Sequence, residues 1–530
     1  MSVAVDPVTI EVIRNALNAT AEEMSLVVMR SARSPLLREA GDLSSALTDA
    51  EGRLIAQGRD IPMHVGVMSF TVAKFLERVP KARLAPGDVW FLNLPEVGGN
   101  HLPDVKAIRP VFVDGIVRAF AVSLAHWADT GGAVPGSYVA NAADAWQEGL
   151  RIPPFRLFSA GGPDREKLDM VLANVRGAPE REGDILAQMA ATRAAEERLH
   201  QLFAEHGTQT VIDAIEAIHD RAEAQMRAAL RAIPDGIYAG EDWLDDDGAG
   251  SDPIAIRVRV TINGDEATFD FSETADAARG PVNTTPFIAA ASVFYVVKTL
   301  FGPDIQPSGG CYRPLRIVTR PGSLLEPGID KPVVGGNHET SQRIADAVFK
   351  ALEPTGPERL SAGGPTTSGL MLFGGRRADG VWTTLYETHG GGEGARHDRD
   401  GESVIRVHMS NVMNTPAEVI EAEYSIRVEC QRLREGSGGA GRHRGGDGLH
   451  REYRVLCDDM SVTSMFERRV IPPYGLQSGE PGAAFRVTVV EKSGRAFELP
   501  GKANVRLGDG DLVVVESCGG GGYGAREDGS

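Results

Sequence analysis

The sequence predicts an α+β fold in which antiparallel sheets dominate, with one N-terminal helix and a central pair of helices. Apolar residues recur at helical spacing near the N-terminus and again between residues 184 and 232. Elsewhere the chain consists of short apolar runs separated by turn residues, which is typical of strands and hairpins. With 530 residues, we expect a large core and more than one structural unit.

The first helix is predicted from a start signal and an apolar face. Asp6 can cap it, and Pro7 suits its first position. The residues with helical spacing are Ile10, Ile13, Leu17, Met24 and Val28. From Leu43 to Val113 turn signals such as Asp49–Gly52 and Ala85–Asp88 indicate strands.

The helical block is predicted to run from Asp184 to His206 and from Val211 to Ala232, as an antiparallel pair. Gly207 is placed to end the first of these helices, and Thr208 to cap the second. Alternation in 256–260 and 267–271 then indicates strands. The predicted division is an N-terminal α+β region with the candidate site (1–183), a helical segment (184–233) and a β-rich, glycine-rich region (234–530).

Charge and cysteine usage exclude several functions. The net charge is −18, and no basic stripe interleaved with aromatics offsets it, so nucleic acid is not an expected partner. The four cysteines form no C-x-x-C pair, which argues against a disulfide framework and against a thiolate zinc site. Residues 1–10 do not resemble an export or import signal, and no apolar run has the length of a membrane span. A cytoplasmic location is expected.

The strongest local signal is a pair of His-x-x-Asp units, His101 to Asp104 and His126 to Asp129. Between them, Val105–Val113 and Ile116–Ala125 are predicted to be antiparallel strands joined at Asp114-Gly115. A hairpin brings its two ends together. The two units are therefore expected to lie close in space.

The register of this hairpin decides whether Asp104 and His126 share a face, because side chains alternate with a period of two. A three-residue turn with Gly115 in the left-handed region pairs Asp104 with Leu124 and makes His126 its diagonal neighbour. A two-residue turn places the two side chains on opposite faces. The sequence leaves both turns open.

If Asp104 and His126 lie on the same face of the hairpin, they form with His101 a set of two imidazoles and one carboxylate. Such a set leaves coordination positions open and suits manganese, zinc, iron or cobalt. Asp129 is either a fourth ligand or an acceptor that orients a ligating ring. His64 and Glu148 are candidates for substrate contact or proton transfer, and the alternative is that these polar residues are structural.

Several nucleotide and hydrolase motifs are absent from the sequence. It contains no G-x-x-x-x-G-K-[ST] loop, no G-x-S-x-G elbow and no H-E-x-x-H helix. The glycine run at 519–524 has no helix after it, so it does not predict a phosphate site. If ATP is used, another chain is expected to bind it.

Eleven ordered motifs are spread over nearly the whole chain, at 6–11, 61–66, 99–104, 126–132, 147–154, 245–248, 279–283, 386–392, 411–416, 437–442 and 519–524. Through these motifs the chain resembles the hydantoinase B/oxoprolinase family. The chain departs from the family pattern at two places. Trp127 stands where a second histidine is common in the family, and the segment Gly335–His338 also differs.

The resemblance implies an activity and a partner. The family includes ATP-dependent N-methylhydantoinases, 5-oxoprolinases and caprolactamases, and it is related to acetone and acetophenone carboxylases. It implies that a hydantoinase A-type partner binds ATP in a hetero-oligomer, and that His101, Asp104 and His126 are the metal ligands in this chain.

Three functions follow as hypotheses. In the first, the partner uses ATP to activate a cyclic amide, such as a hydantoin, 5-oxoproline or a lactam, and water activated at the metal opens the ring. In the second, the same scaffold carboxylates a ketone. In the third, the chain is a non-catalytic scaffold for the ATP-binding partner, and the histidines belong to its core.

Overall fold

The computed structural model describes residues 5–526 and has the predicted α+β fold, with sheets that are mostly antiparallel. Residues 1–4, part of the stretch inspected for a targeting signal, lie outside the described residues. No helix of the described chain is long and apolar enough to cross a membrane.

The N-terminal helix and the helical block are present. The α-helices are α1 Pro7–Ser31, α2 Pro35–Arg38, α3 Val67–Arg78, α4 Arg165–Leu172, α5 Ala178–His206, α6 Thr208–Leu230, α7 Pro286–Phe301, α8 Gly309–Tyr312, α9 Ser341–Leu352 and α10 Ala417–Glu423. Asp6 caps α1 as predicted, because its Oδ1 accepts hydrogen bonds from the backbone N–H groups of Val8 and Thr9, both at 3.0 Å.

The junction between α5 and α6 differs in part from the prediction. Gly207 ends α5 as expected, but Thr208 is already the first residue of α6 and does not cap it. Gly207 precedes α6 with φ 82°, a conformation that glycine adopts without strain. Both helices pack against α1, and α5 packs against α1 more extensively than against α6.

The strands follow in chain order. In the first half they are β1 Leu43–Asp49, β2 Leu54–Gln57, β3 Val89–Leu92, β4 Asp104–Val113, β5 Ile116–His126, β6 Phe155–Ser159, β7 Gly162–Pro163, β8 Gly236–Leu244, β9 Ile254–Asn263 and β10 Glu266–Asp270. The second half contains β11 Leu315–Val318, β12 Leu370–Arg376, β13 Trp382–Glu387, β14 Ile426–Arg434, β15 Gly448–Val455, β16 Met460–Met465, β17 Arg486–Val490, β18 Ala496–Glu498, β19 Lys502–Leu507 and β20 Leu512–Glu516.

These strands form four sheets. The orders are β2-β1-β5-β4-β3-β6-β7, β11-β10-β9-β8, β13-β12-β16-β19 and β14-β15-β20-β17-β18. The parallel pair among these strands is β10 with β11. The largest sheet holds the hairpin β4–β5 near its centre, so both strands have neighbours on either side.

The largest sheet is covered on both faces. Val105 and Ala107 of β4 pack with α1, α5 and α6, whereas Ile108 packs with α3. By strand alternation Asp104 shares the α3 face with Ile108. The candidate site therefore lies at the end of the hairpin on the α3 side.

Candidate metal centre

The register of β4 and β5 places Asp104 directly opposite His126. Of the two turns that the sequence left open, the structure has the two-residue turn, and Asp104 and His126 pair directly rather than diagonally. Asp114 and Gly115 form a two-residue turn with φ of 52° and 74°, the left-handed pair typical of tight hairpins. A bulge then leaves Arg118 unpaired between the partners of Val111 and Phe112.

This bulge brings the two ligand candidates onto one face. Without it, a two-residue turn would pair Asp104 with Ala125 and direct His126 to the opposite face. One unpaired residue shifts the ladder by one position and restores the shared face. The expected juxtaposition therefore exists, by a different local mechanism.

His101, Asp104 and His126 each offer a ligand atom within 4.8 Å of the other two, and all three residues are buried. His101 Nε2 lies 3.4 Å from Asp104 Oδ2. His126 Nδ1 and Asp104 Oδ1 are buried without a hydrogen-bond partner among the described residues. Buried polar atoms normally have partners, so these two atoms fit a cation ligated between them.

The orientation of His101 is set by backbone on the other side of the site. His101 Nδ1 lies 3.0 Å from the carbonyl oxygen of Val334, which assigns the proton to Nδ1 and leaves Nε2 as an acceptor. Glu148 holds this backbone, because its two carboxyl oxygens accept hydrogen bonds from the N–H groups of Val333 at 3.0 Å and Val334 at 2.8 Å. Burial raises the pKa of Glu148 to about 8.

His64 lies beside the three candidates. It belongs to the 3₁₀ turn Pro62–His64 before α3, and its Nδ1 lies 2.8 Å from Ser44 Oγ. Its Nε2 is 3.4 Å from Asp104 Oδ2. Burial lowers the pKa of His64, so the ring faces the carboxylate in its neutral form near neutral pH.

Asp129 is tied into the loop that follows β5. Its carboxylate accepts hydrogen bonds from the N–H groups of Gly131 at 2.7 Å and Gly136 at 2.9 Å. It also accepts from the backbone and side chain of Arg176, both at 3.1 Å. These bonds fix the loop that leads to Tyr138.

Tyrosines that the sequence analysis missed complete one wall. Tyr138 Oη lies 3.1 Å from His126 Nε2, and the Tyr386 ring centroid is 4.6 Å from that of His126. Burial raises the pKa of both phenols well above the usual value. Both therefore stay protonated and can donate a hydrogen bond.

The sequence analysis also missed Asn100 and Asn337, although both belong to a five-residue sequence that occurs twice in the chain. Val-Gly-Gly-Asn-His occurs at 97–101 and again at 334–338. Asn100 Nδ2 lies 2.8 Å from Asp104 Oδ2. Asn337 Nδ2 is 3.2 Å from His101 Nε2 and 3.4 Å from the same Asp104 oxygen.

The second copy of this five-residue sequence leads into a π-helical turn, Gly336–Thr340. Such turns often occur at functional sites. A Cβ at Gly336 would overlap the carbonyl oxygen of Asn283, so only glycine permits this close approach. His338 follows, and its ring centroid lies 6.4 Å from that of His101.

The charges at the site favour a bound cation. Burial alone would raise the pKa of Asp104, but the neighbouring His101 and His64 hold it well below its usual range. Burial and the adjacent His101 lower the pKa of His126 well below its usual value. The site thus presents an ionised Asp104 carboxylate and a neutral His126 imidazole, which are the protonation states of metal ligands.

Comparison with known proteins gives consistent results. The model of the family described as hydantoinase B/oxoprolinase matches residues 6–526. The caprolactamase subunit beta of Pseudomonas jessenii is 31% identical over 98% of this chain and 91% of its own length. The 5-oxoprolinase 1 of Arabidopsis thaliana is 31% identical over 98% of this chain, which spans 42% of that protein.

Solved structures share the fold. The ATP-dependent caprolactamase of Pseudomonas jessenii superposes with a TM-score of 0.92 at 28% identity, covering 99% of this chain and 93% of the other. An acetone carboxylase chain superposes with a TM-score of 0.91 over 98% of this chain and 76% of its own, and its 18% identity is evidence for the fold alone. The full-length family match and these relatives show that the chain belongs to the hydantoinase B/oxoprolinase family.

Proposed function

We propose that this chain is the metal-bearing B-type subunit of an ATP-dependent enzyme that opens cyclic amides. The observation that carries the proposal is the buried set of two imidazoles and one carboxylate, in which His126 Nδ1 and Asp104 Oδ1 have no hydrogen-bond partner within residues 5–526. The relatives described as ATP-dependent caprolactamase and 5-oxoprolinase support cyclic amides as the substrate class.

The proposed partner is a hydantoinase A-type chain that binds ATP. The caprolactamase relative is described as a subunit, and this chain spans only 42% of the 5-oxoprolinase that it matches. We therefore place ATP on a separate chain in a hetero-oligomer. Because all four cysteines are free thiols, we place the enzyme in the reducing cytoplasm.

His101 Nε2, His126 Nδ1 and the Asp104 carboxylate would hold a manganese, zinc, iron or cobalt ion. When bound, such a cation supplies a Lewis acid beside the substrate. Asn100 and Asn337 then orient Asp104 through its Oδ2, which leaves Oδ1 free as a ligand.

The remaining residues position the substrate and protons. With His126 Nδ1 reserved as a ligand, its Nε2–H donates to Tyr138 Oη, so the Tyr138 hydroxyl is free to donate to a substrate carbonyl. His64 is proposed to accept a proton at Nε2, because Ser44 occupies its Nδ1. Glu148 acts through Val334 on His101, and Asp129 acts through the loop that carries Tyr138.

The test is a substrate screen on the chain purified with its native A-type partner. Hydantoin, 5-oxoproline, a lactam and a ketone are each assayed with ATP and bicarbonate added or omitted. We expect ring opening of one cyclic amide that requires ATP and not bicarbonate. Turnover that depends on bicarbonate and consumes the ketone would instead establish carboxylation.

The variant His126→Ala separates catalysis from scaffolding. We expect loss of about one metal ion per chain and loss of turnover, with partner binding retained, because the metal ligands must act together. The matched control is His397→Ala, because His397 is a half-exposed histidine beside Asp398. This variant should change neither the metal content nor the turnover. Unchanged metal content and turnover in His126→Ala, with weaker partner binding, would establish the scaffold function.

A further inference from the structure

A second group of metal-ligating side chains lies on the five-stranded C-terminal sheet. Cys430 of β14 and His450 and Glu452 of β15 each offer a ligand atom within 4.8 Å of the other two. His450 Nε2 lies 2.9 Å from Glu452 Oε1. We propose that this thiol, imidazole and carboxylate bind a divalent cation of the zinc class, independently of the His101 set.

A β-bulge creates this grouping. Val428 pairs with Tyr453 and Cys430 pairs with Glu452, which leaves Glu429 unpaired. In a regular ladder Cys430 would pair with Arg451, whose side chain lies on the opposite face. The bulge therefore moves the thiol onto the face of His450 and Glu452.

The neighbours of His450 prepare it to act as a ligand. The His450 side chain is only 10% exposed, and its Nδ1 lies 3.7 Å from Glu516 Oε1 on β20. The Nε2 atom faces Glu452 within the group, so it is the ligand atom, and Glu516 lies on the Nδ1 side of the ring, where a carboxylate commonly stands behind a metal-binding histidine. Glu516 itself is held by Arg486 at 2.9 Å and is not among the ligands.

The ligand types select the cation. A thiolate with an imidazole and a carboxylate suits zinc better than magnesium or calcium, which prefer oxygen ligands. Cys430 and Glu452 are half-buried, so the cation can enter from solvent, and a water completes four-coordination. Bound there, it joins the edge strand β14 to β15 and stabilises this sheet.

Cobalt substitution of the full chain tests the proposal, because a cobalt–thiolate bond gives a charge-transfer absorption band in the near ultraviolet that imidazole and carboxylate ligands do not give. The protein is stripped with a chelator, kept reduced and titrated with Co²⁺. We expect the band in the wild type and in His126→Ala, and its loss in Cys430→Ser. A wild type without the band, or a Cys430→Ser variant that keeps it, overturns the proposal.

Cys457→Ser is the matched control, because Cys457 is another half-buried cysteine that lies outside the group. It should keep the band, and loss of the band in Cys457→Ser would contradict the assignment to Cys430. Glu452→Gln should weaken Co²⁺ affinity at least tenfold while keeping some band intensity. Unchanged affinity in Glu452→Gln would remove the carboxylate from the ligand set and overturn the three-ligand site.

Unfolding in the His126→Ala background provides a second readout that does not depend on cobalt. Zn²⁺ should raise the midpoint of thermal unfolding, because a ligand that binds only the folded state stabilises it by mass action. The same addition should leave the His126→Ala, Cys430→Ser double variant unchanged. An equal shift in both proteins would place zinc elsewhere and reject the site.

Discussion

At the residue scale, the centre is organised around the two oxygens of one carboxylate. Asp104 Oδ2 has Asn100, Asn337, His64 and His101 within 3.4 Å, whereas Oδ1 has no hydrogen-bond partner among the described residues. A buried oxygen that stays unpaired beside a crowded one is costly unless something binds it. The asymmetry is the reason to regard Asp104 as a metal ligand.

The variant Asp104→Asn tests this assignment. The amide keeps the shape of the side chain but removes the charge that a divalent cation requires, so we expect metal affinity to fall by more than about tenfold. Metal content after gel filtration is the measurement. Asp129→Asn is the matched control, because Asp129 is bonded to its own loop; equal metal loss in both variants would contradict the assignment.

Glu148 provides a prediction about pH. Burial raises the pKa of Glu148 from its ordinary value of 4.5 to about 8, so its contribution to stability is present below the ordinary value and is lost as pH rises through about 8. Each pKa unit corresponds to about 1.4 kcal/mol. We expect the free energy of unfolding of the wild type to fall by several kcal/mol across this range.

Glu148→Gln removes this titration. The variant should lose one backbone hydrogen bond at all pH values, at a cost of about 1 kcal/mol, but it should show a flatter dependence of stability on pH than the wild type. Urea denaturation from pH 5 to about 9 measures both. Parallel pH profiles for the two proteins would show that Glu148 does not titrate in this range.

At the element scale, irregular features place the candidate ligands. A bulge at Arg118 pairs Asp104 with His126, and a π-turn directs Asn337 toward His101. Regular strands and helices would place these side chains elsewhere. The site thus depends on single unpaired or inserted residues within otherwise ordinary elements.

Gly336→Ala tests the π-turn. The added Cβ would overlap the carbonyl oxygen of Asn283, so the turn must move and Asn337 must withdraw from Asp104 Oδ2, which it helps to orient. We expect metal affinity to fall by about ten- to a hundredfold, the usual effect of losing an orienting partner. Metal titration of the purified chain measures it.

Gly161→Ala is the matched control. Its Cβ would meet only Ser159 Oγ at 3.8 Å, which is an ordinary contact. We expect full metal affinity in this variant. If Gly336→Ala also bound metal normally, the position of Asn337 would be irrelevant to the centre.

At the scale of the whole molecule, segments far apart in sequence meet at the centre. The hairpin supplies Asp104 and His126, the loop just before it supplies His101, and the 334–338 segment supplies the contacts behind His101. The hydrophobic cluster that contains Tyr138 and Val334 of the centre also contains Leu36 and Tyr523. The centre therefore lies where the N-terminal and C-terminal parts of the chain pack together.

Hydrogen exchange can detect this connection. Adding metal to the stripped chain should increase amide protection in 99–126 and also in 334–340, because a cation bound to His101 stabilises the backbone that orients its ring. The His126→Ala variant is the control and should show no change in either segment. Protection confined to 99–126 would contradict the coupling.

The sequence alone determined the features that depend on local pattern. Periodicity and turn residues predicted four of these features. They are the capped first helix, the end of α5 at Gly207, the β4–β5 hairpin and the approach of the two His-x-x-Asp units. The division into three regions stays a prediction. Each confirmed feature involves residues that are near one another in the chain, where propensity and spacing act directly.

Tertiary structure decided the rest. Which backbone groups pair across the fold decides three features of this protein. They are the bulge at Arg118, the positions of Asn337 and Tyr386 at the centre, and the grouping of Cys430 with His450 and Glu452. Strand alternation makes every such outcome sensitive to a shift of one residue, and packing of distant segments selects that shift. A local pattern contains no information about that choice.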